Sequence, residues 1–261
     1  MSFLTFDTES NQRKSFELPG AKPHYNPDRP GQVDHIFLDL KINLEERHLQ
    51  GVCRITLTPV RAGIEQLVLD AVDLKIAWVL IKGVSQSFDY DGEKLTINPL
   101  QPLGTEPVTL EIQYELKNPR RGIYFIQPDH HYPDKPVQVW TQGEDEDSRY
   151  WFPCFDYPGQ LATSEIRVQV AKPYRAISNG SLIEQKDLGV EQIFHWSQAQ
   201  IHPTYLMTLA IGDFAEIVDH YGDLPVRYYV EKGREADGQR SMGKTPRMIE
   251  FFNQTFGYPY A

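Results

Sequence analysis

The segment from Thr141 to Pro158 holds the residues best suited to chemistry: four consecutive acids, Glu144 to Asp147, then Arg149, Cys154 and Asp156 among aromatics and prolines. Within it, Gln142 and Glu144 differ in kind from their neighbours. They are two apart, so if the strand leading in from Val137 continues, both face the same side. Gly143 between them allows close backbone approach or an unusual dihedral. An amide oxygen and a carboxylate on one face make a receptor for an ammonium group. At an effective dielectric near 20, an ammonium about 4 Å from a carboxylate gains roughly 4 kcal/mol before desolvation. Such a contact could read the free amino terminus of a peptide.

The plain alternative for the acidic run is a solvated loop, since adjacent like charges repel and prefer water. Asp145, Glu146 and Asp147 read as that kind of spacer. Their spacing is not that of a calcium loop, which needs oxygens at alternate positions around a central glycine. The chain has no Ser-His-Asp constellation and no phosphate-cradling glycine loop. Cys154 lies between Pro153 and Phe155, where apolar surroundings raise a thiol's pKa, so it reads as inert. His24, His35 and His48 lack ligand spacing, and the adjacent His130 and His131 would point to opposite sides of a strand.

The formal charge of -10, with no Lys/Arg run, leaves no nucleic-acid footprint. Two cysteines about a hundred residues apart make neither a disulfide framework nor a zinc knuckle, and both read as free thiols in a reducing compartment. The first residues show neither a basic nor an apolar leader, and no apolar run is long enough to span a membrane. The expected location is the cytoplasm.

The elements that must position the segment are strands. Residues 1–31 are polar and proline-rich, an extended lead-in. Ile36, Leu38, Leu40, Ile42 and Leu44 then recur at period two, and Cys53, Ile55 and Leu57 return after a polar turn. Further runs at 66–69, 74–81, 88–97 and 108–116 predict short antiparallel strands, with Asp91-Gly92 as a two-residue hairpin turn. Strands are also expected at 122–126, 137–140, 166–170, 176–180 and 194–196. The near-continuous apolar run Tyr205 to Phe214 predicts one strand buried on both faces. After a strand at 226–230, residues 231–239 are polar. Met248, Ile249, Phe252 and Phe256 then take helical spacing, and Gly257 ends the helix. The expected fold is mainly β, a large antiparallel sheet or sandwich over residues 32–220. A domain boundary falls near 220, and residues 221–261 open a second domain.

The run Thr141-Gln142-Gly143-Glu144, Ser148-Arg149 and Phe152-Pro153-Cys154-Phe155-Asp156-Tyr157-Pro158 resembles the signature of the aminopeptidase N family of zinc metallopeptidases, which includes puromycin-sensitive aminopeptidases and leukotriene hydrolases. The resemblance continues in Gly122-Ile123-Tyr124-Phe125, Ala176-Ile177-Ser178-Asn179-Gly180, Thr204-Tyr205-Leu206 and Gly212-Asp213-Phe214.

The resemblance implies a saddle-like all-β N-terminal domain, one loop of which enters the active site of a thermolysin-like catalytic domain. Gln142 and Glu144 match the family positions that hold the substrate's amino terminus, and Arg149, Pro153, Asp156 and Pro158 match those that shape the loop. The family's H-E-x-x-H zinc motif and its Gly-x-Met-Glu-Asn motif are absent from these residues. The implied picture is an N-terminal domain plus the first strand and helix of a truncated catalytic domain, with zinc in the full-length parent. Its partners would be a peptide with a free amino terminus and its own downstream catalytic domain. By itself the chain should bind no catalytic zinc and cleave nothing. A non-catalytic scaffold that kept the fold is the alternative, and a free-standing β-sandwich binding module fits poorly with the final helix.

Overall fold

The computed structural model of the chain describes residues 29–260, so most of the expected lead-in, His24 included, lies outside the described residues. The first alternating stretch forms β1 (Gly31–Asn43), and the chain returns as β2 (His48–Pro59). Asn43 Oδ1 fastens the turn by accepting from the backbone N–H groups of Glu45 and Glu46. The register sets Leu38 opposite Cys53 and Ile36 opposite Ile55, and all four are buried. Each large apolar side chain buried this way contributes about 1.5–3 kcal/mol.

Short strands follow: β3 (Leu67–Asp70), β4 (Lys75–Ile81), β5 (Val84–Ser85), β6 (Ser87–Tyr90) and β7 (Lys94–Asn98), then the longer β8 (Val108–Lys117). The β6–β7 turn differs from the two-residue form expected. Tyr90 pairs with Leu95, and only Gly92 has a positive φ. The Asp91 carboxylate closes this wider turn by accepting from the N–H groups of Glu93 and Lys94.

Next come β9 (Ile123–Ile126), β10 (Gln138–Thr141), β11 (Leu161–Ala171), β12 (Arg175–Ser178), β13 (Ser181–Asp187) and β14 (Glu191–Pro203). Eight strands make the large sheet, in the order β13-β14-β11-β1-β2-β8-β4-β5. One pair departs from the antiparallel expectation: β1 and β11 run parallel, with Leu38 beside Ile166 and Leu40 beside Val168. Alternation fixes which face of a strand is buried but not the direction of its neighbour, and no hairpin joins these two strands. β3, β7 and β6 form a separate three-stranded sheet.

The apolar run expected as one buried strand is broken into parts. Thr204–Leu206 is a 3-10 turn, β15 (Leu209–Gly212) joins a four-stranded sheet of order β12-β15-β10-β9, and β16 (Phe214–Tyr221) leaves that sheet. Leu206 and Thr208 are exposed, so the run is not buried on both faces. β16 pairs with β17 (Leu224–Glu231), which places residue 220 inside a hairpin rather than at its edge. Two helices follow, α1 (Glu235–Met242) and α2 (Thr245–Phe256), where one was expected. α1 meets the hairpin through Gly238, whose added Cβ would lie 2.7 Å from a Val230 methyl. α2 ends at Gly257 with φ 64°, a left-handed cap.

Candidate functional site

The chain enters the site along β10, an interior strand of the four-stranded sheet. Thr141 ends β10, and its hydroxyl accepts from the Leu209 N–H. The strand therefore does not continue through Gln142 and Glu144 as supposed. One further backbone bond, Gln142 N–H to Gly122 O at 2.8 Å, carries the extended chain past Thr141. A turn over Glu144–Asp147 follows, closed by Asp147 N–H to Gly143 O at 2.8 Å.

Exposure nevertheless keeps its alternation: Trp140, Gln142 and Glu144 are exposed, Thr141 is half-buried and Gly143 is buried. The side chains of Gln142 and Glu144 have no partner among the described residues. Gly143 is required by space and not by dihedral. A Cβ there would lie 2.8 Å from Ser148 Oγ and 2.9 Å from both Cα and O of Tyr205.

Two of the remaining acids of the run are not spacer. Asp147 is buried, and its carboxylate accepts from Arg121 Nε at 2.7 Å. Glu146 accepts from Arg149 at 2.8 Å. Only Asp145 is left exposed as expected. Arg121 also lies over the Tyr150 ring, 5.0 Å from its centroid. Arg121 and Gly122 thus hold both ends of the loop, one by side chain and one by backbone.

Arg149 is the centre of the brace. Its Nε and backbone N–H both donate to Asp156 Oδ2 at 3.1 Å, and a second guanidinium nitrogen donates to the Asp156 carbonyl at 2.7 Å. It also lies 3.2 Å from Asp70, and Lys94 pairs with the same carboxylate. Asp156 is 1% exposed, and its other oxygen accepts from Thr204 Oγ1 at 2.8 Å. Burial pushes the Asp156 carboxyl above its ordinary value, against the pull of the Arg149 and Thr204 donors. Burial alone would lower the Arg149 guanidinium, but Asp70 and Asp156 outweigh it and the net shift is upward.

Beyond Tyr150 the segment becomes core. Trp151, Phe152 and Cys154 are fully buried. Cys154 exchanges both backbone bonds with Asp70 of β3, at 2.8 and 3.0 Å, and Cys53 of β2 donates to the Pro153 carbonyl at 3.4 Å. The segment therefore ties the large sheet to the three-stranded one. Burial pushes both thiols up, so neither is primed as a nucleophile. Sequence reasoning gave no role to Asp70, Arg121 or Thr204: Thr204 stood out only as part of a resembling motif, and the contacts of all three are made across the fold.

Among the described residues, no three His, Cys, Asp or Glu side chains converge as a metal site requires. The residues present do not fit a catalytic zinc, and no metal-dependent step is assigned to them. Among the same residues, no helix is long and apolar enough to cross a membrane.

Among the described residues, four β-sheets carry this loop, with the exposed amide and carboxylate of Gln142 and Glu144 just past the end of β10. Residues 21–206 match the Peptidase M1 N-terminal domain, and the chain belongs to that family. It is 32% identical over 200 residues to a leucyl aminopeptidase of Saccharolobus solfataricus, an alignment covering 75% of this chain and 24% of the relative. It is 29% identical over 167 residues to aminopeptidase M1 of Arabidopsis thaliana, covering 64% of this chain and 19% of that protein. The chain thus spans about a quarter or less of the curated relatives it matches. In fold it is similar to the M1 zinc metallopeptidase of Deinococcus radiodurans, solved as a mutant bound to a Tyr-Ser-Ala substrate. The TM-score is 0.74 at 23% identity, covering 89% of this chain and 55% of that one.

Proposed function

We propose that the protein carrying this chain is a zinc-dependent aminopeptidase, and that the chain supplies its substrate-reading loop. Gln142 and Glu144 take the free amino terminus of the peptide: the Glu144 carboxylate faces the ammonium, and the Gln142 amide oxygen accepts one of its protons. One observation carries this reading. Gln142 and Glu144 are exposed and unpartnered at the tip of a loop whose neighbouring groups are committed to internal bonds. A carboxylate without a cation at the end of a rigid brace is suited to receive one from outside. Removal of a single N-terminal residue then follows from register, because the charge pair fixes where the peptide begins.

Catalytic zinc would come from residues beyond this chain, as the M1 relatives imply. When bound, it would polarise the scissile carbonyl and lower the pKa of its water. This chain's share is to bind and orient. The hairpin from Phe214 onward, with α1 and α2, is read as the opening of the next domain. Met248, Phe251, Phe252 and Phe256 of α2 are exposed among the described residues, which supports a cover supplied by the rest of the protein. The free, buried thiols Cys53 and Cys154 support the cytoplasmic placement.

The test is kinetic. The full-length zinc-loaded protein should hydrolyse aminoacyl 4-nitroanilides, and Glu144→Gln should raise KM about tenfold or more while changing kcat less. Unchanged KM and kcat would remove Glu144 from the site. No hydrolysis by the wild type would favour the non-catalytic scaffold.

A further inference from the structure

The four-stranded sheet has a face that the proposed function leaves unused. Directly opposite residues place Tyr124, Trp140, Ala210 and Ile177 in one row across β9, β10, β15 and β12. The other face of these strands, with Ile123, Val139, Ile211 and Ala176, is in the core. The neighbouring row behaves differently. There the Phe214 ring lies against Gly212, where an added Cβ would meet ring atoms at 2.6–2.9 Å. Arg175 in that row pairs with Glu216 at 3.1 Å. The β16–β17 hairpin therefore covers one row and stops short of the next.

The uncovered row has an ordered centre. The Trp140 and Tyr124 rings stack with centroids 4.5 Å apart at 21°. Trp140 is still 42% exposed. Its other cross-strand neighbour is Ala210, a small side chain that is itself only half-buried. Trp140 precedes Gln142 by two residues of extended chain, about 6.5 Å. That spacing is of the order of the reach from an α-ammonium to the side-chain ring of the residue bearing it.

We infer that Trp140, backed by Tyr124 and flanked by Ala210, is the platform for the first side chain of the substrate, and that it favours peptides beginning with a large apolar or aromatic residue. This rests on Gln142 and Glu144 holding the ammonium. With the charge end fixed there, the side chain one bond away is directed either to solvent or to this row. An aromatic or branched apolar side chain gains by leaving water and by offset stacking on the indole, and an alanine side chain gains almost nothing. Trp140 is then a specificity-determining residue that discriminates by size.

The test uses the full-length protein, with phenylalaninamide and alaninamide as calorimetric probes and the matching 4-nitroanilides as substrates. Trp140→Ala should weaken phenylalaninamide binding and lower kcat/KM for the phenylalanyl substrate by about tenfold or more, leaving the alanine pair within about twofold. Trp140→Phe should restore most of the loss. Ala210→Leu, which adds bulk beside the ring, should exclude phenylalanine while sparing alanine. Equal losses for both probes, or no loss for either, overturn the platform. If Glu144→Gln has no effect while Trp140→Ala still separates the two probes, the ammonium reading fails and the platform stands. A wild type that binds neither probe sinks both.

Discussion

Gln142 and Glu144 carry exposed side chains with no internal partner, held only by backbone bonds to Gly122 and across a turn. From Arg149, five residues past Glu144, the same segment enters a largely buried lattice in which Arg149, Asp70, Asp156 and Thr204 satisfy one another. The two halves divide the labour. The buried half fixes position by spending its polar groups internally, and the exposed half keeps its polar groups unspent. A tip built without the brace would pay the entropy of ordering its chain each time a ligand arrived. Mutations should therefore separate: those in the brace act on stability, and those at the tip act on binding.

Arg149→Ala tests the first half most severely. It leaves Asp156, almost wholly buried, and Asp70 without their shared guanidinium. Removing one partner of a buried ion pair costs about 3–5 kcal/mol. Urea unfolding followed by circular dichroism should show a large fall in midpoint at constant slope. Thr204→Val comes next. It keeps shape but takes the hydroxyl from a buried carboxylate, and a hydrogen bond to a charged group is worth about 1.5–3 kcal/mol. If Thr204→Val proves as costly as Arg149→Ala, the guanidinium is not the centre of the brace.

Gly143→Ala probes the junction between the halves. The new methyl would meet Tyr205 backbone at 2.9 Å, which cannot yield as a flexible side chain could. Overpacking of this kind costs about 1–3 kcal/mol. Because relief can come only from moving the tip, binding of an aminoacyl amide should fall by more than the unfolding midpoint implies. A variant that loses stability but binds normally would show that the tip is not held by this contact.

How much of this was legible in the sequence follows from what each feature depends on. The β1–β2 hairpin was readable because period-two alternation is local, and the inward set came out as Ile36, Leu38 and Leu40. The parallel partner β11 was not, since more than a hundred residues separate the pair. α1 escaped because Glu235–Met242 has almost no apolar stripe, and it is seated through the glycine at 238. The segment from Thr141 stood out by its residue types, and its family resemblance is carried by the match to the M1 N-terminal domain. The division inside it was partly hidden. Glu146 and Asp147 read as solvated spacer until Arg149 and Arg121 were seen to claim them. Charge type is written in the sequence, but the partner that decides between solvated and paired is set by the fold.

Glu144→Gln is the smallest change in stability and the sharpest test of the comparison. The carboxylate has no partner among the described residues and is exposed, so its loss breaks no internal bond. Exposed substitutions away from structural features fall within about 0.5 kcal/mol. The unfolding midpoint should therefore match that of the wild type. The amide is nearly the same size and still accepts a hydrogen bond, so only the charge is removed. If the tip binds an ammonium, affinity for an aminoacyl amide should drop at low salt, and the gap from wild type should narrow as salt rises, because exposed charge pairs are screened. A drop in affinity that ignores salt would point to a shape effect instead. A fall in the unfolding midpoint would mean that Glu144 belongs to the brace.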